Sequence, residues 1–79
     1  MDRQHGIFRY TTRLVHDNQQ GNAAVELHRT PMDGNTILVA RVVFWDAYGD
    51  FFFETFGAQI PVEVANQLIA EAKSSIKIR

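Results

Sequence analysis

The stretch ILVARVVFWD (residues 37–46), followed after a short break by FFFETFGAQI (residues 51–60), decides the fold. Its first half is an apolar run rich in β-branched and aromatic residues, bounded by turn-forming clusters, which reads as a strand with apolar groups on both faces. The second half carries four phenylalanines and ends at Pro61. Together the halves form a hairpin around which the rest of the chain must be built, and both sides of that hairpin call for cover.

Working toward the N-terminus, Gly6 to His16 alternates Phe8, Tyr10 and Leu14 with Arg9, Thr11 and Arg13, the period-two pattern of a half-buried strand. Asp17 to Asn22 is turn chemistry, and a second strand from Ala23 to Thr30 sets Val25 and Leu27 opposite Glu26 and His28. Asp33-Gly34 signals a tight hairpin whose two central residues take positive φ. The third strand is Ile37–Asp46, and Ala47-Tyr48-Gly49 leads as a three-residue loop into a fourth, Phe51–Gln59. Working toward the C-terminus, Pro61 suits the first position of a helix that runs to about Ser75. Ala65, Leu68, Ile69, Ala72 and Ile76 recur on one face of it, with Glu63, Gln67 and Glu71 off that stripe. The tail, residues 76–79, stays open between a last helical turn and an extended piece.

The expected fold is therefore α+β, a four-stranded antiparallel meander followed by one C-terminal helix on one sheet face. Length sets a single domain over residues 1–79, near the lower size at which a chain buries enough surface to fold alone. Without cysteine, neither disulfides nor thiolate–metal sites supplement the core, which favours association. No apolar run approaches a membrane span of roughly 20 residues and the start lacks a signal-type stretch, so a cytoplasmic protein is expected.

Turn geometry fixes cross-strand neighbours. Closing the first hairpin with Asp17 opposite Asn22 sets Arg13 across from Glu26, and closing the second around Asp33-Gly34 sets Glu26 across from Arg41. The result is a row of alternating charge on one face, each pair worth a few tenths to about 1 kcal/mol. A three-residue last loop turns Glu54 toward the helix; a two-residue loop or a bulge turns it toward the row, which avoids burying an unpaired carboxylate. The face under the helix takes Phe8, Leu14, Val25, Leu27, Leu38, Val42 and Phe44. The other carries Arg9, Arg13, Glu26, His28 and Arg41 on one half and Val39, Val43, Trp45 and an aromatic of the fourth strand, Phe52 or Phe51, on the other. One helix cannot cover both faces, so the apolar half of the open face marks a partner surface.

Catalytic chemistry finds little here. Cysteine is absent and the serines, Ser74 and Ser75, lie together near the end of the helix. His5, His16 and His28 show no metal-ligand spacing, so no metal site and no cofactor are expected. His28 lacks an acid on a neighbouring strand to orient it as a general base. Asp46 and Asp50 flank a loop, where Asp commonly bonds nearby backbone N–H groups. The glycines are single and each is accounted for by a turn or strand end, so no phosphate loop is formed.

Arginines beside aromatics on a sheet are, however, what a single-stranded nucleic-acid binder uses, charge for phosphate and flat rings for bases. Four strands in meander followed by a helix opened by Pro, Gln59-Ile60-Pro61-Val62-Glu63, resembles in outline the coactivator domain that binds single-stranded DNA and the related plant Whirly proteins. That resemblance implies a nucleic-acid-binding sheet and subunits associating partly through helices. Glu26 between Arg13 and Arg41, and a net charge of −1, weaken the phosphate attraction that dominates such binding. The expected function is a non-catalytic interaction module that self-associates as a homodimer through the uncovered face. Single-stranded nucleic-acid binding on that face, and small-molecule binding at a subunit interface, are the alternatives.

Overall fold

The computed structural model describes residues 1–77. Five strands, β1 (Asp2–His5), β2 (Phe8–Asp17), β3 (Asn22–Pro31), β4 (Ile37–Trp45) and β5 (Asp50–Thr55), form one antiparallel sheet in chain order, and α1 (Val62–Ser75) follows. The meander and its helix are as expected, with one strand more. β1 escapes a reading based on apolar alternation because its side chains, Asp2, Arg3, Gln4 and His5, are all polar. Its hairpin to β2 closes on Gly6-Ile7, with His5 opposite Phe8 and Gly6 at φ 61°. Glycine at the first central position is what a two-residue turn of this kind prefers.

The first wide hairpin closes with Asp17 opposite Asn22, and Gln20 N–H donates to Asp17 Oδ1 at 3.1 Å. The second differs from expectation. Instead of a tight turn on Asp33-Gly34, residues 32–36 form a longer loop, and neither Asp33 nor Gly34 has positive φ. Gly34 is there for space: a Cβ on it would fall 2.5 Å from the ring of Pro31. The longer loop shifts the strands by one residue, Arg29 facing Ile37 and His28 facing Leu38, and a bulge restores the register so that Leu27 faces Ala40 and Glu26 faces Arg41. The residue without a partner is Val39. A bulge sets two residues of one strand against one of the other and re-aims a side chain, and Val39 joins Ala40 in the core under the helix, fully buried.

Two expectations fail at this point for that reason. Val39 is not on the open face, and Leu38, assigned to the core, is 37% exposed on the row of His28. Leu14 also lies outside the core, exposed on β2 beyond the end of β1. The β4–β5 loop has four residues, with Trp45 opposite Asp50. Its parity equals that of a two-residue loop and sends Glu54 toward Arg41.

α1 starts one residue later than expected, with Pro61 as the flanking residue before the first turn. Val64, Leu68, Ala72 and Ile76 are buried at a spacing of four, while Ala65 and Ile69 sit at the margin. They pack on Tyr10, Val25, Leu27, Val42 and Phe44. Glu63 and Gln67 flank that stripe over β1, where Arg3 donates to Glu63 Oε2 (3.0 Å) and Gln67 Oε1 (2.9 Å). Ile76 leaves the helix in an extended conformation while its N–H still bonds Ala72 O at 2.9 Å. Residues 78 and 79 of the open tail lie outside the described residues.

A helix is about 10 Å across and strands lie about 4.8 Å apart, so five strands span about 19 Å. α1 accordingly lies over β2, β3 and β4 and leaves the outer strand β5 uncovered. Phe51 reaches the core, its ring 5.0 Å from that of Phe44, but Phe53 on the same side remains 42% exposed.

Candidate functional site: the open face and the β5 edge

The open face carries the row that turn geometry implies, extended by one strand: Arg13 opposite Glu26, Glu26 opposite Arg41, Arg41 opposite Glu54. Cross-strand neighbours do not all become ion pairs. Arg41 makes a two-pronged contact with Glu54, Nε to Oε2 at 3.0 Å and Nη2 to Oε1 at 3.2 Å, both side chains about one-third exposed. Two parallel N–H donors on one carboxylate are the stronger and more directional form of this interaction. Glu26 instead lies 3.2 Å from Nε2 of His28, two residues along its own strand. Arg13 has no ion-pair partner among the described residues.

At the β1 end, Arg9 grips Asp2 with Nε–Oδ1 at 2.8 Å and Nη2–Oδ2 at 2.6 Å. The guanidinium hydrogen bond holds the Asp2 carboxyl below its ordinary value of 3.8, with coulombic attraction to Arg9 acting the same way, and Arg9 is raised in return. Of the three arginines expected to meet an anion on this face, two are thus occupied. By register the face holds five carboxylates, Asp2, Asp17, Glu26, Asp50 and Glu54, against the guanidiniums of Arg9, Arg13 and Arg41. That balance repels phosphate.

The apolar half of the face is narrower than expected. Val43 lies in the row Ala24, Val43, Phe52 and is fully buried, as is Ala24, yet neither belongs to the cluster under the helix. Neighbouring side chains of the open face cover them. Trp45 is half-buried, and the ring of Phe52, 42% exposed, meets Tyr48 edge-on with centroids 5.7 Å apart. Tyr48 is 75% exposed. Of the four expected interface residues, then, Trp45 and Phe52 reach the surface, Val43 is fully buried in the same face, and Val39 is on the other side of the sheet. Tyr48 is the addition. It sits in a loop read for its turn chemistry, where strand alternation says nothing about a side chain.

β5 brings a second feature to the same place. In an antiparallel ladder, residues alternate between bonding the neighbour strand and pointing away. Phe56 N–H donates to Val39 O at 3.0 Å, which sets Phe52 and Glu54 inward and leaves Phe51, Phe53 and Thr55 facing outward. The Phe51 N–H is taken by Asp50 Oδ1 at 2.8 Å. The backbone groups of Phe53 and Thr55 face away from the sheet.

Other chemistry is sparse. His28 does have a carboxylate partner, from its own strand rather than a neighbour, but no hydroxyl bonds it among the described residues. Asp50 serves the backbone, as turn aspartates do. No group of three His, Asp or Glu gathers as a metal site among the described residues, and no helix is long and apolar enough to cross a membrane. A hollow of about 760 Å³ lies between His16, Asn22, Asp46 and Lys77 over Phe44 and Ile76, and one of about 470 Å³ between Phe8, Arg29 and Ile60. Neither receives an unpartnered buried polar group among the described residues, the feature that fixes a small ligand's orientation. Compared with known protein families, characterised proteins and solved structures, the chain matches none.

Proposed function

We propose that the chain is a small, non-catalytic interaction module that self-associates as a homodimer, using the outer end of its open face. The observation that carries this reading is the Tyr48–Phe52 pair, two exposed rings in edge contact, with Phe52 directly across the ladder from the buried Val43. Aromatic rings left in water next to an already dry patch are what interface cores are made of. The rest of the face supports the same reading. Arg41 is paired with Glu54 and Arg9 with Asp2, so a second copy can approach without stranding either charge.

Sedimentation velocity across a concentration series tests the proposal. A reversible dimer is expected, with Phe52→Ala and Trp45→Ala each raising the dissociation constant at least about tenfold, as loss of a central aromatic anchor does. A chain that sediments as a monomer at every concentration defeats it. Binding of a labelled single-stranded oligonucleotide at low salt that weakens with added salt and is lost in Arg13→Ala would replace it with the nucleic-acid reading, since Arg13 is the arginine of this face left without a carboxylate among the described residues.

A further inference from the structure

We infer that two copies join edge to edge through β5, antiparallel about a two-fold axis at Phe53, so that their sheets run on as one. This rests on the self-association proposed above and names its route.

The two edges of the sheet are unlike. β1 is four residues long and wholly polar, Asp2-Arg3-Gln4-His5. Short, charged edges are how sheets avoid pairing with other chains. β5, Asp50-Phe-Phe-Phe-Glu-Thr55, has no Lys, no Pro and no bulge, and it exposes Phe52 on one face and Phe53 on the other. Its outward backbone groups offer a ready template for another strand. With one edge blunted and one bare, a head-to-tail array cannot propagate, because each copy offers a single joining edge. Pairing of that edge with itself closes at two.

Register selects the axis. Regular pairing must match outward residues with outward residues, which leaves four overlaps of three or more residues. Phe51 opposite Phe51 of the second copy is short and calls on the Phe51 N–H, which Asp50 Oδ1 already holds. Phe52 opposite Phe52 of the second copy sets Asp50 against Glu54, and Glu54 opposite Glu54 sets like charge on like charge. Both are unfavourable. With Phe53 opposite Phe53, Glu54 faces Phe52 and no carboxylate opposes another. The two Phe53 residues then exchange backbone hydrogen bonds, and Thr55 N–H donates to Phe51 O of the second copy, while the Phe51 N–H stays on Asp50 Oδ1. The Phe53 rings meet on the side that α1 fails to cover, and the two Tyr48–Phe52 pairs flank the axis on the open face.

Amide hydrogen exchange combined with cysteine cross-linking tests this on the full chain, which contains no native cysteine. At concentrations where sedimentation shows a dimer, the amides of Phe53 and Thr55 should exchange at least about tenfold more slowly than in dilute monomer. Those of Phe52 and Glu54, bonded to β4 in either state, serve as the internal control. Phe53→Cys should oxidise to a covalent dimer. Thr55→Cys should not, since its copies stand about 13 Å apart, four residues along the ladder and beyond disulfide reach. Both substitutions fall on exposed side chains, and circular dichroism confirms that each variant folds. A dimer with unslowed Phe53 and Thr55 amides, or equal cross-linking at both positions, overturns the edge pairing and leaves self-association standing. A monomer at all concentrations overturns both.

Discussion

Asp2 and Arg9 show how a single pair responds to acid. The Asp2 carboxyl is lowered below 3.8 chiefly by the Arg9 hydrogen bond, so its contribution to stability is present above that value and is lost as pH falls through the lower, folded value. Both groups are solvent-exposed, and the contribution is small and salt-screened. Following the Asp2 side-chain carboxyl carbon by NMR as pH is lowered should give a midpoint below 3.8, and Arg9→Gln should return it toward that value. A midpoint at 3.8 in the unaltered chain would show that the pair does not form in solution. Gly34 makes a different demand, on space alone. Gly34→Ala forces its Cβ into the Pro31 ring and should cost about 1 to 3 kcal/mol, the usual range for overpacking. The same change in a Pro31→Ala background should cost clearly less in urea denaturation, and equal costs in the two backgrounds would dismiss the contact.

At the scale of elements, the β3–β4 hairpin carries the most consequential irregularity. Strict alternation puts Leu38 under the helix and Val39 in the open; the bulge reverses them. Val39→Ala should therefore cost roughly 2 kcal/mol, two methyl-sized groups at about 0.8 kcal/mol each plus a cavity contribution. Leu38→Ala should cost less than about 1 kcal/mol, although the larger side chain is removed. Equilibrium unfolding of the two variants decides between regular and bulged pairing, and a larger loss at Leu38 would refute the bulge. The helix shows a related division of labour. Its buried line, Val64, Leu68, Ala72 and Ile76, holds the centre of the sheet, while Glu63 and Gln67 beside it anchor β1 through Arg3.

For the molecule as a whole, patterning made the meander and helix legible: period-two alternation in β2 and β3, the apolar run of β4, and Pro61 before a four-spaced stripe. The Arg13, Glu26, Arg41 row was legible too, although the second hairpin reaches it by a longer loop and a compensating bulge rather than by the tight turn expected. β1 was hidden because it has no apolar residue to alternate. The β4 faces were partly hidden because a bulge depends on how two strands meet, not on the composition of either. The site was less legible than the fold. Sequence places Trp45 and Phe52 on the open face, but whether Val43 is covered by its neighbours, and whether Arg41 has a carboxylate in reach, are matters of packing that alternation cannot supply.

The sheet is built entirely from strands adjacent in sequence, and the helix that roofs it comes after all of them. Neighbouring hairpins form from short-range contacts and so form quickly. At about 5 to 20 residues per second, the stretch from Val62 to Ile76 takes about one to three seconds to be made after β5. For that interval Tyr10, Val25, Leu27 and Val42 line a sheet with no roof. The nascent chain is therefore most exposed to chaperones and to misassembly when the sheet has formed and the helix has not.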